Sequence, residues 1–362
     1  MKFLHTADIQ LGLKLRFVPG ESGVRVRSQR FDTLRHIAGV AKEQGAQAVV
    51  VAGDFFDDNS VGPDTIQLAE DSLQTFAPIP VLILPGNHDA ATEHSALKRL
   101  QGLKHVHVLM DQEPVEIEGT LFYPCPLSRR HETSDPTSWL PERDPGDDRV
   151  RVAIAHGGVI EFSESSESPN LIDADGVLAK GFDYLALGDW HGTFKFRDKA
   201  WYPGTPEATR WTEKDPGNVL LVEVPGGGEV PKVEQVPVGR TKWIDREVVF
   251  NHDEEVDDLG EWFEYLDEKS WTLVQLTMSG HLSLKARSQL DRLQEDNQSR
   301  LLCLRIKDDR VAAAPTEEDL QYLSLEGFVG TAVDLLRQDE SQESQDALRL
   351  LYRFHREAGG ES

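Results

Sequence analysis

The sequence has few cysteines, few basic residues and no long apolar run. Its two cysteines, Cys125 and Cys303, lack metal-binding spacing, and a structural disulfide is not expected in a reducing compartment. No stretch approaches the roughly 20 apolar residues of a membrane-spanning helix, and the N-terminus lacks the features of a signal peptide. We therefore expect a cytoplasmic protein with no membrane partner.

Basic residues are scarce relative to acidic ones. The 362 residues include 38 Lys and Arg against 63 Asp and Glu, which gives a formal net charge of −25 at pH 7. Residues 241–362 carry −13 of this charge in about a third of the length. Proteins bind phosphate backbones nonspecifically through clustered Lys and Arg, so this last third is not expected to form a broad nucleic-acid-binding surface.

Five short polar blocks each follow a strand-like apolar run. Apolar runs closed by Gly or Pro are typical of buried strands, and open α/β sheets bind ligands at the ends of their strands. Five segments far apart in sequence can therefore bring oxygen and imidazole donors to one point, which predicts a two-metal site. The blocks are Asp8-Ile9-Gln10, Gly53-Asp54-Phe55-Phe56-Asp57, Gly86-Asn87-His88-Asp89, His156-Gly157 and Gly188-Asp189-Trp190-His191.

Taken in order, the blocks resemble the signature of the calcineurin-like metallophosphoesterase superfamily, which is D-x-H, G-D, G-N-H-D/E, a lone His and G-H-x-H. Leu4-His5-Thr6-Ala7-Asp8 and the block at 53–57 are similar to the SbcD type of bacterial DNA-repair nuclease. The resemblance covers about residues 1–210. It implies an α/β fold, a two-sheet sandwich flanked by helices, that hydrolyses phosphodiesters with two divalent ions.

The sequence differs from the superfamily signature at two positions. Gln10 replaces the His of D-x-H, and Asp189 replaces the first His of G-H-x-H. Both side chains can still offer an oxygen to a metal, so we interpret the site as altered and not as lost. Either residue could bind the ion directly or could orient His191 or a water.

The resemblance assigns a role to each residue of the site. One ion would be held by Asp8, Gln10, Asp54 and His191, and Asp54 would bridge to a second ion that is completed by Asn87, His156 and Asp189. His88 corresponds to the acid residue that contacts the phosphate and protonates the leaving oxygen, so we assign catalytic roles to Asn87 and His88. Asp57 would stabilise the turn that carries Asn87 and His88 without binding an ion itself. Because most of these ligands are oxygen donors, Mn²⁺ is favoured over Zn²⁺.

Candidate substrate contacts are basic and aromatic residues of the catalytic half. Any of these clusters can also be ordinary solvated surface. A single strand requires only a narrow basic groove with aromatic stacking, so the pattern favours single-stranded DNA, cut internally. The candidates are Arg27, Arg30, Lys195, Arg197, Trp201, Arg210 and Trp211.

The sequence predicts a catalytic domain at 1–240, a small α/β (βαβαβ) capping domain at 241–312 and a helical segment at 313–362. In the catalytic domain, a loop at 13–27 precedes a helix capped by Ser28. The apolar positions of the last helix could pack on the parent domain or could dock a partner helix.

Several functions remain open at this point. The sequence favours a manganese-dependent endonuclease of DNA repair that acts on single-stranded DNA. The alternatives are an SbcD-like exonuclease that works with an SbcC-like ATPase or another repair protein, and a small-molecule phosphodiesterase. A noncatalytic scaffold is disfavoured, because all seven ligand positions keep donor side chains.

Overall fold

A computed structural model of the protein describes residues 1–160, 169–313, 316, 319, 328–339 and 341–358. It has two compact units, Met1–Thr241 and Lys242–Ser362. The strands of the first unit are β1 (Lys2–Thr6), β2 (Ala48–Ala52), β3 (Val81–Leu84), β4 (Val106–Val108), β5 (Val115–Ile117), β6 (Thr120–Cys125), β7 (Arg151–His156), β8 (Gly158–Val159), β9 (Leu171–Ile172), β10 (Tyr184–Gly188), β11 (Phe194–Arg197), β12 (Ala200–Tyr202), β13 (Asn218–Glu223) and β14 (Lys232–Pro237). Its helices are α1 (Gly20–Glu43), α2 (Pro63–Gln74) and α3 (Ala174–Ala179), with a 3₁₀ helix at Ala96–Gly102.

Two six-stranded sheets form the first unit. The first has the order β14-β13-β1-β2-β3-β4, with β1 to β4 parallel, and the second has the order β11-β12-β10-β7-β6-β5, with β6, β7, β10 and β12 parallel. Parallel neighbours end at the same edge of a sheet. The loops that follow β1, β2 and β3 therefore emerge side by side, and so do the loops that follow β7 and β10.

One core of the first unit lies between the two sheets. Phe3 and Val50 of the first sheet belong to the same buried cluster as Phe122 and Ile154 of the second. The outer face of the first sheet packs against α1 and α2, and that of the second packs against α3. Central strands such as β2 are buried along their whole length because both of their faces are covered. The predicted two-sheet sandwich flanked by helices is confirmed.

The second unit contains a three-stranded parallel sheet of order β15-β16-β17. The chain runs β15 (Lys242–Phe250), α4 (Glu255–Tyr265), a 3₁₀ turn (Lys269–Trp271), β16 (Thr272–Leu282), α5 (Leu284–Arg300) and β17 (Cys303–Ala313). This order is the predicted βαβαβ pattern. Both helices cover one face of the sheet, where Phe250, Phe263 and Leu290 are buried together.

Two further helices, α6 (Phe328–Arg337) and α7 (Gln342–Ala358), follow in the second unit. Most of the rest of the predicted helical segment at 313–362 lies outside the described residues, and its first residue, Ala313, ends β17. Leu348 and Tyr352 of α7 pack with Val333 of α6 and Leu284 of α5, whereas Phe354 is exposed. Packing on the parent unit thus accounts for part of the apolar face of α7. None of the described helices combines the length and apolarity that crossing a membrane would require.

The start of α1 was predicted wrongly. The helix begins at Gly20 and not after Ser28, so most of the predicted loop at 13–27 is helical. The glycines of this stretch are typical of loops, but Gly23 is part of the helix. A Cβ at Gly23 would lie 2.1 Å from the carbonyl oxygen of Val18, so this glycine allows the first turn of α1 to pack closely against the residues that precede it.

Candidate metal centre

The seven predicted ligands come from strand ends of both sheets and lie together. Three of them surround the imidazole of a fourth: His156 Nε2 is 3.3 Å from Asn87 Oδ1, 3.5 Å from Asp54 Oδ1 and 3.6 Å from Asp189 Oδ1. Asn87 and Asp54 follow β3 and β2 of the first sheet, whereas His156 ends β7 and Asp189 follows β10 of the second. The centre therefore straddles the two sheets.

The other three residues form a second group beside the first. His191 Nε2 lies 3.4 Å from the amide nitrogen of Gln10 and 3.9 Å from Asp8 Oδ1. Asp8 also connects the groups, because its Oδ2 accepts a hydrogen bond of 3.1 Å from the backbone nitrogen of Asp189. The structure thus brings all seven donor side chains into one cluster.

Both histidines of the cluster present Nε2 to its centre. His156 Nδ1 donates to the carbonyl oxygen of Ala52 at 2.8 Å, and His191 Nδ1 donates to Glu213 Oε1 at 2.6 Å. A proton held on Nδ1 leaves the Nε2 lone pair free for a metal. Burial raises the pKa of Glu213, but hydrogen bonds from His191 and Thr209 outweigh burial and hold the pKa below its usual value. Glu213 belongs to no motif of the sequence, so its role is visible only in the structure.

Four of the predicted ligands have a left-handed backbone. The φ angles are 53° at Asp8, 47° at Gln10, 52° at Asp54 and 97° at Asp189. Such a conformation costs about 1–3 kcal/mol for a residue other than glycine and is concentrated at functional sites. Strained backbone at four positions of one cluster indicates a functional site, where the rest of the fold offsets the cost of the strain.

Two glycines of the motif blocks are explained by close approach of ligand side chains. A Cβ at Gly53, where φ is 94°, would lie 2.1 Å from His156 Nδ1. A Cβ at Gly86 would lie 2.1 Å from Asp54 Oδ1. Any larger residue at either position would displace a candidate ligand.

The charges and contacts of the cluster fit divalent cations. Asp8 is fully buried, its Oδ1 has no hydrogen-bond donor among the described residues, and burial raises its pKa to about 6. Burial lowers the pKa of His156, but the carboxylates of Asp54, Asp8 and Asp189 outweigh burial and raise it well above its usual value. Several oxygen acceptors surround His156 Nε2, and their negative charge must be balanced by a positive charge, which a proton or a metal ion can supply. Ligand atoms of Asp8, Asp54 and His156 all lie within 4.8 Å of one another, so donors assigned to the two different ions are close together.

His88 stands at the edge of this cluster with a reachable side chain. Its backbone nitrogen donates to Asp54 Oδ1 at 2.9 Å, and its Nδ1 donates to the carbonyl oxygen of Asp57 at 2.6 Å. The imidazole is 27% exposed, and its Nε2 lies 3.9 Å from Asp54 Oδ2. Asp57 thus orients the ring through its main chain, while Nε2 remains available to a substrate.

Asp89 holds the two loops of this region together, a role that its sequence motif does not indicate. Its carboxylate accepts hydrogen bonds from the backbone nitrogens of Gly86 at 2.8 Å and Phe56 at 3.0 Å. Burial, followed by the nearby charge of Asp54, raises the pKa of Asp89 to about 7. The Asp89 side chain therefore fixes the loop after β3 to the loop after β2.

The structure contradicts the substrate role expected for Arg30. The residue is 2% exposed, and its guanidinium donates to the carbonyl oxygens of Ile9 at 2.8 Å and Glu207 at 3.0 Å. Arg30 lies on the buried face of α1. There it supports the loop that carries Asp8 and cannot reach a substrate.

The other substrate candidates divide into two sets. Lys195 and Arg197 are exposed but paired, with Asp198 at 2.7 Å and Asp175 at 2.9 Å, and Lys195 lies over the ring of Trp201 at 5.5 Å. In the second set, Arg210 lies 3.4 Å from Glu213, the hydrogen-bond partner of His191. The ring of Trp211 lies at a tilt 4.9 Å from that of Phe17, and Arg27 donates to the carbonyl oxygen of Lys14 at 3.2 Å.

We expect Glu213→Gln to weaken metal binding by about 10- to 100-fold, because an amide cannot stabilise the His191 imidazole as a carboxylate does. Metal content after dialysis against graded chelator concentrations would measure the loss. Arg210→Ala is the matched control, since it removes the other charged partner of Glu213 and leaves His191 untouched. Equal metal retention in Glu213→Gln and the wild type would contradict the prediction.

Comparisons with known proteins agree with this geometry. Residues 1–223 match the family described as calcineurin-like phosphoesterase. The SbcD subunit of the nuclease SbcCD from Bacillus subtilis (strain 168) is 26% identical over 331 residues, which cover 79% of this chain and 81% of that relative. The resemblance predicted from the motif blocks is confirmed. The chain belongs to the calcineurin-like phosphoesterase family and is a metal-dependent hydrolase.

Proposed function

We propose that the protein is a DNA nuclease of DNA repair that hydrolyses phosphodiester bonds with two divalent ions. The proposal rests mainly on the cluster of seven donor side chains, of which Asp8, Gln10, Asp54 and His156 are buried, with the accessible His88 beside it. The similarity to a nuclease subunit over most of both chains supports DNA as the substrate. A small-molecule phosphodiesterase would use the same centre, but the nuclease relative favours DNA.

The residues fit two adjacent ions. Asp8, Gln10, Asp54 and His191 would hold one of them, and Asp54, Asn87, His156 and Asp189 would hold the other. Two such ions supply a nucleophilic hydroxide at neutral pH and neutralise charge on the phosphoryl oxygens. The mixture of carboxylate, amide and imidazole donors favours Mn²⁺.

The chain's own residues then position and protonate the substrate. His88 Nε2 would contact a phosphate oxygen and transfer a proton to the leaving 3′ or 5′ oxygen. The hydrogen bond from Nδ1 to the Asp57 carbonyl keeps the ring in the orientation that this transfer requires. Asn87 precedes His88 in the same loop, and its side-chain oxygen lies 3.3 Å from His156 Nε2.

The distribution of charge supports single-stranded DNA, cut internally, as the substrate. The second unit is strongly acidic, and the basic residues proposed to contact substrate are confined to short segments of the first unit. Duplex binding usually recruits a broad basic surface, whereas a single strand requires a narrow groove and stacking aromatics. Among the candidates drawn from the sequence, Arg27, Arg210 and Trp211 are best situated for that role.

An SbcD-like exonuclease that works with an SbcC-like ATPase in the cytoplasm is the second candidate. The name of the bacterial relative describes it as one subunit of a larger nuclease. In this chain, Leu335 of α6 and Leu350 and Phe354 of α7 are exposed apolar side chains, which a partner could cover.

We expect the purified protein to cut circular single-stranded DNA in the presence of Mn²⁺ and to be much less active with Zn²⁺, because its donors are mostly oxygens. Gel analysis of a circular single strand and a linear duplex under the same conditions would measure this. Survival of the circle while duplex ends are resected would support the exonuclease instead. Equal cleavage with Zn²⁺ alone would overturn the choice of metal.

A further inference from the structure

Trp190 is a large aromatic side chain between two candidate ligands, yet it is 56% exposed. Its neighbours in sequence, Asp189 and His191, belong to the metal cluster. An exposed indole forgoes the free energy that burial of its apolar surface would provide, and it contributes little to packing. The side chain is therefore available to a ligand that arrives at the metal centre.

The backbone that carries Trp190 is held firmly. The carbonyl oxygen of His191 accepts from Thr205 N at 3.0 Å, and Thr193 N donates to the carbonyl oxygen of Asp215 at 3.1 Å. Between them, a Cβ at Gly192 would lie 2.0 Å from the carbonyl oxygen of Lys214 and 3.5 Å from the Trp190 indole nitrogen. The indole thus stands on a loop that is closely packed against the chain at 214–215.

A cavity of about 320 Å³ opens beside this indole and reaches the metal cluster. Its walls include Asp189, whose side chain is 39% exposed, and His191. The cations Arg210 and Lys214 line the same cavity. This volume is at the lower end of the range for small-ligand sites, so the cavity suits a single nucleotide and not a larger ligand.

We infer that this cavity binds the nucleotide adjacent to the scissile phosphate, with its base stacked on Trp190 and its outer phosphate near Arg210 and Lys214. The inference rests on the proposed nuclease function and identifies the part of the substrate that the site recognises. Every base has a face that can stack on an indole, so the subsite selects an unstacked nucleotide and not a base sequence. Duplex DNA could fill it only after local melting.

Trp190→Ala should lower kcat/KM for a single-stranded oligonucleotide by roughly 5- to 150-fold, the range expected when one base–aromatic stack is lost. Trp190→Phe should recover part of the loss. Metal content should stay within about twofold of the wild type, and an oligonucleotide that is abasic at the stacked position should be cleaved at similar rates by Trp190→Ala and the wild type. Tyr265→Ala, at an exposed aromatic of the second unit, is the matched control and should cleave the oligonucleotide normally.

Abasic substrates give the sharper comparison. An abasic nucleotide would be placed at successive positions around the mapped cleavage site. The wild-type cleavage rate should be lowest when the abasic nucleotide occupies one position adjacent to that site, and this minimum in the rate should be absent in Trp190→Ala. Normal DNA cleavage by Trp190→Ala, or an abasic minimum that persists in it, would overturn the subsite and leave the nuclease proposal intact. A wild type that hydrolyses bis(4-nitrophenyl) phosphate but no DNA would overturn both.

Discussion

Asp54→Ala is expected to reduce DNA cleavage by on the order of 10⁴-fold or more, the size of loss that follows when a catalytic unit is removed as a whole. Asp54 is buried, its Oδ1 lies 3.5 Å from His156 Nε2, and its φ of 52° directs it into the cluster. It is the one residue assigned to both ions. Initial rates with Mn²⁺ and the number of ions bound per chain would measure the effect.

Gln10→Ala is the matched control for this experiment. Gln10 has a similar backbone, with φ of 47°, so both alanine variants carry the same cost of a left-handed residue. Gln10 is assigned to only one ion, and its variant should retain more activity and more metal. Asp54→Asn, which tolerates the left-handed backbone, should be nearly as inactive as Asp54→Ala. Near wild-type cleavage by either Asp54 variant would show that the assignment of ligands is wrong.

His88→Ala should slow cleavage of DNA by about 10²–10⁴-fold, which is typical of losing a general acid. Metal content should not change, because the His88 side chain is not among the assigned ligands. The loss should shrink on bis(4-nitrophenyl) phosphate, whose nitrophenolate leaves without being protonated. Paired rate measurements on the two substrates test this difference.

His94→Ala is the control for His88, since His94 is an exposed histidine that follows β3 in the same loop region. It should cleave both substrates at the wild-type rate. Equal losses on both substrates in His88→Ala would argue against proton transfer to the leaving group. Loss of bound metal in that variant would make His88 a ligand instead.

The sequence predicted the strands of the first unit and the clustering of the seven donor side chains, because both follow from short sequence blocks. A short apolar run ended by Gly-Asp or Gly-Asn predicts a buried strand and the polar loop after it, and β2 and β3 have this form. The seven donors could be aligned with a family signature residue by residue. No long-range information was required for either prediction.

Features that depend on contacts between distant residues could not be predicted. Glu213 is identified only by its hydrogen bond to His191, 22 residues earlier in the sequence. Arg30 was expected on the surface because it is charged, whereas its burial depends on five backbone and side-chain acceptors around one guanidinium. Exposure of Trp190 likewise follows from the packing of Gly192 against Lys214.

The position of the metal centre across the two sheets has a consequence for how the enzyme acquires its activity. Asp8, Asp54 and Asn87 follow strands of one sheet, while His156 and Asp189 belong to the other, and a shared core joins the two sheets. A chain with either sheet unformed lacks several of the donors. Metal-dependent hydrolysis therefore requires the complete sandwich, and a nascent or partly unfolded chain that lacks one sheet is expected to be inactive.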